Sequence, residues 1–307
     1  MNVEIPDGVQ SLTVDLDGPV HYFDFGGPAD APVIVAVHGL GGAGWNWAAI
    51  APKLTKHYRM LALDLAGHGR TPAAGRKTTV GANRRLLDRF LKTVVGQRVT
   101  LMGNSMGGAI SLLEAAASPD LVEALVLVDP ALPRPVLAPV DPLVALSFAV
   151  MSVPGLGEAA MRRRRGKRTP EQQVRETLAL CCVDAMRIPP DVVAMGIALA
   201  EERAGYRYAA RDFVAAARSL VRLLALSSRF RDAMRAVDVP VLMLHGDHDR
   251  LVPLRVAEGV AEANPRWRFE VARGIGHVPQ LEAPDWTASV VLDWLAPLHK
   301  AESSSAR

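Results

Sequence analysis

The sequence predicts an α/β fold: a mostly parallel sheet flanked by helices. Three observations carry that prediction. Short apolar runs of strand length alternate with segments of helical periodicity. Several of those runs are apolar at every position rather than at every second one. The runs end in loops rich in glycine, histidine and aspartate. A strand that is apolar on both faces needs helices on both sides of its sheet, which is the arrangement of parallel α/β architectures.

Taken in order, residues 11–25 alternate loosely around Asp17-Gly18 and predict an antiparallel hairpin. Pro32–Val37 is the first fully apolar run. It leads into His38-Gly39-Leu40-Gly41-Gly42, where glycines let backbone N–H groups approach a ligand. Tyr58–Leu63 reads as a strand closed by Asp64-Leu65-Ala66-Gly67-His68-Gly69, and residues 81–95 carry Leu86, Leu87, Phe90, Leu91 and Val94 at helical spacing. Val99–Asn104 then predicts a buried strand, Ser105 the apex of a sharp turn, and the Ala/Leu-rich stretch to Ala117 a helix. Ala124–Val128 is a further strand, ending at Asp129.

The rhythm stops near residue 131. Pro133 to Val237 is rich in Ala, Leu and Arg and helical in pattern, broken by Pro154, Pro170 and Pro189-Pro190. Strand pattern resumes at Val239–Leu244, followed by His245-Gly246-Asp247-His248-Asp249, a helix, a last strand at Trp267–Val271, the loop Gly274–Gln280 and an amphipathic helix over 285–297. The expected organisation is a core of residues 1–132 and 238–298, an all-helical cap inserted over 133–237, and a frayed tail at 299–307.

Composition narrows the function classes. Of 307 residues half are hydrophobic and 22% charged, enough apolar material for a large core and too much for disorder. A formal charge of +3 gives no general case for nucleic acid. The two cysteines, Cys181 and Cys182, are adjacent and fit neither a disulfide framework nor a zinc spacing. With no basic-then-apolar leader and no apolar run of about 18 residues, a cytoplasmic protein is expected. Met161–Arg168 is the one dense basic run; it reads as a solvated cap loop or as a weak contact with anionic lipid beside the apolar stretch Leu143–Met151. Oligomeric state is not legible.

The chemistry concentrates at strand ends. Gly103-x-Ser105-x-Gly107 between a strand and a helix has the form of a nucleophile elbow. Acyl transfer by serine needs a base, an acid to orient it and donors for the oxyanion. Ser105, Asp249 and His277 all follow strands, in the order Ser, Asp, His. Asp247, or Asp129 at the end of its own strand, are alternative acids. The His245–Asp249 cluster lacks a metal-ligand spacing, so no metal and no cofactor are expected. His38 and His68 read as braces of glycine loops, and Asp64 as a turn residue.

On these motifs the sequence resembles the α/β-hydrolase superfamily across essentially its whole length. The residues that carry the resemblance are His38-Gly39-Leu40-Gly41, Asp64-x-x-Gly67-His68-Gly69, Gly103-Asn104-Ser105-Met106-Gly107-Gly108, Gly246-x-x-Asp249 and Gly276-His277. The resemblance implies Ser105 as nucleophile, His277 as base, Asp249 as its orienting acid, and the backbone N–H groups of Leu40 and Met106 as oxyanion donors. It implies a serine esterase or lipase acting on a small, apolar carboxylic ester through an acyl-enzyme. Two other readings stand beside it: a carbon–carbon bond hydrolase of ring-fission dienones, and an idle hydrolase fold that binds a ligand. Val278 follows His277 where the carbon–carbon hydrolases usually carry tryptophan. Epoxide hydrolases and haloalkane dehalogenases carry aspartate where Ser105 stands.

Overall fold

The computed structural model describes residues 5–133 and 141–305. Strands β1 (Gln10–Asp15) and β2 (Pro19–Asp24) form the expected hairpin, whose turn takes Asp17 and Gly18 through φ of 58° and 109° and is tied by the Gly18 N–H to the Asp15 carboxylate at 2.8 Å. Then follow β3 (Val33–Val37), α1 (Ala51–Leu54), β4 (Arg59–Leu63), α2 (Val80–Phe90), β5 (Val99–Asn104), α3 (Met106–Ala117) and β6 (Val122–Val128). Between β6 and the next strand the described residues form α4 (Pro142–Ser152), α5 (Leu156–Lys167), α6 (Pro170–Cys181), α7 (Pro190–Ala204), α8 (Ala209–Ala225) and α9 (Ser227–Ala236). The chain closes with β7 (Val241–Gly246), α10 (Leu254–Ala263), β8 (Arg268–Ala272), α11 (Pro279–Glu282) and α12 (Pro284–Ser305).

The eight strands make one sheet in the order β1-β2-β4-β3-β5-β6-β7-β8, antiparallel at β1–β2–β4 and parallel from β4 to β8. Its two faces divide the core. Val33, Val35 and Val37 of β3 join Leu61, Leu63 and Leu101 on the face covered by α2, α3 and α10; Ile34 and Ala36 join Met60, Ala62 and Met102 on the face covered by α1 and α12. This is why the strand sequences are apolar at every position. Strand order reverses at β3, so β4 lies to one side and β5 to the other. The crevice beyond the carboxyl ends of these strands is where ligands bind in such sheets.

Four expectations change in detail. The helix over 81–95 is α-helical only to Phe90; the chain widens into a π turn at Leu91–Val95 and stops at Gly96, whose φ of 69° a side chain disfavours. The basic run is not a loop but the end of α5, which starts where Glu158 accepts the Gly155 N–H and packs through the Glu158–Arg218 pair at 2.7 Å. Arginine is a good helix former, so the sequence had no reason to break there. The tail is helical as far as Ser305, and its start is tied to the core by His299, two residues beyond Pro297, which bonds Tyr58 and Glu123 at 3.2 and 2.9 Å. Finally, α9 does not sit with the other helices of the insertion: it packs on α3, and its Phe230 and Met234 belong to the buried core of the sheet.

Candidate active site

Everything in the turn after β5 serves to hold one side chain out. All six residues of β5 are buried, and Ser105 takes φ 55° and ψ −120°, a conformation that costs a non-glycine residue about 1–3 kcal/mol. The strain is held by close packing. A Cβ on Gly103 would lie 2.6 Å from the Gly107 carbonyl, and one on Gly107 would lie 2.2 Å from the Val37 carbonyl. The Ser105 N–H donates to Val128 O at 3.1 Å and its carbonyl accepts from Ala131 at 2.9 Å, fastening the turn to the end of β6. Asn104 supplies a link that the sequence reading missed. Its amide donates to Val128 O and to His277 O, at 3.0 and 3.1 Å, so the serine turn and the histidine loop are joined directly.

His277 and Asp249 meet at 2.6 Å, Nδ1 to Oδ2, and both are buried. The other Asp249 oxygen accepts the N–H groups of Leu251 and Val252, at 2.7 and 3.0 Å. Burial raises the Asp249 pKa, but the His277 charge and hydrogen bond, with His245, bring it below the ordinary carboxylate value. Asp247 points elsewhere, accepting the Gly274 N–H at 2.7 Å and pairing with His248. Asp129, the other alternative, accepts the Gly246 N–H at 2.9 Å and leaves its second oxygen without a partner among the described residues. Ser105 and His277 line the same cavity, though among the described residues no hydrogen bond joins them.

Burial and the neighbouring Asp249 charge push the Asp129 pKa well above its ordinary value. A folded-state pKa raised in this way contributes stability that is present at acid pH and lost as pH rises through the folded value. Asp129→Asn, which imitates the protonated acid, is therefore expected to melt above wild type at pH 8 and level with it at pH 4. Equal melting temperatures at both pH values would remove this account. Asp129, His245 and Asp249 bring ligand-type atoms within 4.8 Å of one another. Both Asp249 oxygens are already engaged by protein donors, and His245 Nε2 is taken by Val252 O at 2.8 Å, so the set fits a metal ion poorly.

The two backbone donors expected for an oxyanion come from different loops, Leu40 from the one after β3 and Met106 from the turn after β5. Leu40 lines the cavity, and Met106 begins α3. Among the described residues neither the Leu40 nor the Met106 N–H has a hydrogen-bond partner. His38 braces the loop after β3: its Nδ1 bonds Gly39 O at 2.7 Å and its Nε2 accepts the Leu65 N–H at 3.1 Å, an arrangement of the neutral ring that burial favours. Asp64 is more than a turn residue. Its buried carboxylate holds His21, the Gly44 N–H and the Arg70 N–H, at 2.7, 2.6 and 2.7 Å.

Glu282 is a second residue that sequence reading missed. Its buried carboxylate accepts the N–H groups of Val183 and Asp184, just after α6, and of Gly276, just before His277, at 2.9, 2.8 and 2.8 Å. The His277 N–H in turn donates to Cys181 O at 2.6 Å. Glu282→Ala strands three backbone donors and is expected to cost about 3 kcal/mol in denaturant unfolding, with Glu282→Gln costing less. An unfolding midpoint unchanged by the alanine would contradict the clamp.

Above these groups lies a cavity of about 1240 Å³, walled by the strand-end loops and by α4 to α8, with Arg231 of α9 at its edge. Its lining is mainly apolar, with Phe148, Val174, Leu178, Phe213 and Leu224 among the contributors. A strained serine, a buried histidine–carboxylate pair and free backbone donors at the carboxyl ends of a parallel sheet define a hydrolytic enzyme of the α/β class. The sequence comparisons carry this further. The family model of the alpha/beta hydrolase fold matches residues 32–284, and the chain belongs to that family. It is a hydrolase. Among similar proteins, 2-hydroxy-6-oxo-6-(2'-aminophenyl)hexa-2,4-dienoic acid hydrolase of Metapseudomonas resinovorans is 27% identical over 270 residues, covering 86% of this chain and 83% of its own. Monoacylglycerol lipase ABHD6 of Homo sapiens is 22% identical over 303 residues, covering 93% and 83%. The crystal structure of a membrane phospholipase A, a bacterial virulence factor, superposes with a TM-score of 0.73 at 26% identity, covering 95% of this chain and 87% of that one.

Proposed function

We propose that the protein hydrolyses a carboxylic ester with a lipophilic acyl part through a serine-bound acyl-enzyme. One observation carries the reading: Ser105, strained at the strand–helix turn, opens on the cavity that also receives His277, itself hydrogen-bonded to Asp249. Ser105 Oγ attacks the ester carbonyl while His277 takes its proton. Asp249 holds His277 in the tautomer with Nδ1–H and offsets the charge that develops. The N–H groups of Leu40 and Met106 receive the oxyanion, each worth about 10²–10³ in rate. His277 then returns the proton to the leaving alcohol, and water, activated by the same histidine, frees the acid.

The cavity's apolar lining supports an acyl chain as occupant, and the helices from α4 to α8 act as the cap that selects it. The similarity to a monoacylglycerol lipase and to a phospholipase A favours lipid esters. The similarity to a dienoic acid hydrolase favours the carbon–carbon reaction, against which Val278 beside His277 speaks. A series of p-nitrophenyl esters of rising chain length, run beside a ring-fission dienone, tests the choice. Turnover of the esters with an optimum at medium or long chains supports the proposal; turnover of the dienone alone overturns it.

A further inference from the structure

The cavity wall is charged in one sense only. Among the described residues lining it stand Arg164, Arg165, Arg203, Arg231 and Arg250, and no aspartate or glutamate. Two of these are neutralised from behind the wall, Arg164 by Glu176 at 3.0 Å and Arg250 by Asp141 at 2.7 Å. Arg231 is exposed. Arg165 and Arg203 are different. Both are partly buried, and they are neighbours: an Arg165 Nη donates to the Arg203 carbonyl at 3.0 Å. The Arg203 guanidinium is spent on backbone, with its Nη atoms on Gly67 O and Gly69 O at 2.7 and 2.5 Å. Those two glycines line the cavity as well. Among the described residues neither arginine has a carboxylate within ion-pair distance. Two arginines thus share a partly dry wall without an ion-pair partner among the described residues; Asp64 and Asp212 favour the Arg203 cation, no such charge does so for Arg165, and an arriving anion would stabilise it.

We infer that Arg165, backed by Arg203, forms an anion subsite in the catalytic cavity, so that the ester this enzyme prefers carries a carboxylate or phosphate group. The inference rests on the proposed ester hydrolysis and adds the charge of its substrate. Arg165 is the residue suited to the contact. A guanidinium has five N–H donors in a planar fork, and among the described residues only one of Arg165's is taken by protein. Arg203, held by the Gly67–Gly69 loop, contributes charge and fixes Arg165 through its carbonyl. Burial lowers the pKa of each below the usual arginine value, and at Arg203 the Arg165 charge adds to the effect; both remain cations at any working pH. The remaining wall is mainly apolar, so the anion would be the polar end of an otherwise lipophilic molecule.

The test compares kcat/KM for esters matched in length: a neutral p-nitrophenyl acyl ester, the mono-p-nitrophenyl ester of a dicarboxylic acid, a neutral monoacylglycerol and a monoacylglycerol phosphate. Wild type is expected to prefer at least one anionic member over its neutral partner, and the preference should fall as salt is raised. Arg165→Met should lower that preference about 10- to 100-fold, through KM, while the neutral esters are cleaved as before. Arg165→Lys should keep part of it. The carboxylate arm responding alone assigns a free carboxyl, the phosphate arm alone a phosphate. The inference is overturned if neutral esters are cleaved as well as both anionic ones, or if Arg165→Met leaves the ratio unchanged. Failure of the underlying reading looks different: no ester of either charge is cleaved and a fluorophosphonate leaves Ser105 unlabelled.

Discussion

Ser105→Ala is expected to lower kcat on the best p-nitrophenyl ester by about 10⁶-fold and to abolish labelling by a fluorophosphonate probe. The size follows from what the side chain does in the proposed mechanism. Without Oγ no acyl-enzyme forms, and what remains is water acting beside the oxyanion donors. The neighbouring cysteine offers no substitute: Cys181 lines the cavity, but desolvation and the Asp249 and Asp129 charges push its thiol up to about 12, so no thiolate is present to attack. The variant should fold, because the elbow is held by glycine packing and backbone hydrogen bonds rather than by the hydroxyl. Activity of Ser105→Ala within tenfold of wild type, with the label still attached, would end the serine mechanism.

Asp249→Asn carries the second largest effect, about 10⁴-fold in kcat. The amide is the same shape and can still meet the backbone donors of Leu251 and Val252 through its oxygen. Its NH₂ would then face His277 Nδ1 as a donor, which selects the other tautomer and leaves Nε2 unable to accept the serine proton. Substrate affinity should change little. Stability provides an independent reading. A carboxylate whose folded pKa is depressed contributes stability that is complete above its unfolded value, about 3.9, and is lost as pH falls through the folded value. Wild type should therefore lose part of its advantage over Asp249→Asn between about pH 4 and pH 2. A loss of activity below tenfold would instead point to Asp129 or Asp247 as the orienting acid.

Much of this was legible in the chain, and the reasons are local. Apolar runs such as Val33–Val37 state that both faces of a strand are covered, and Gly103 and Gly107 state that backbone passes within van der Waals distance of them. Where the signal is local and strong, as at Ser105, turn and side chain are specified together. The choice of acid was less legible. Asp247 and Asp249 follow the same strand two residues apart, and both could orient a histidine; only the path of the loop after β8 determines which one His277 reaches. The limits of the insertion were harder still. The pattern of α9 is amphipathic whichever layer receives it, and its packing on α3 depends on where the preceding helices leave the chain.

The contacts that no reading of the sequence picked out share one property: each acts across a long gap in the chain. Asn104 reaches the backbone of residue 277, Glu282 reaches residues 183 and 184, and Arg165 finds Arg203 and with it the loop at 67–69. A buried carboxylate or amide has no periodicity, and an arginine inside a basic run looks like its neighbours until one of them faces a cavity. By itself the sequence determined the sheet, the order of its strand-end loops and the strained serine, because backbone geometry and apolar periodicity are written in adjacent residues. The pairing of His277 with Asp249, the clamp at Glu282 and the charge of the cavity wall were decided only by tertiary structure, because each depends on which polar groups meet when burial removes water from between them.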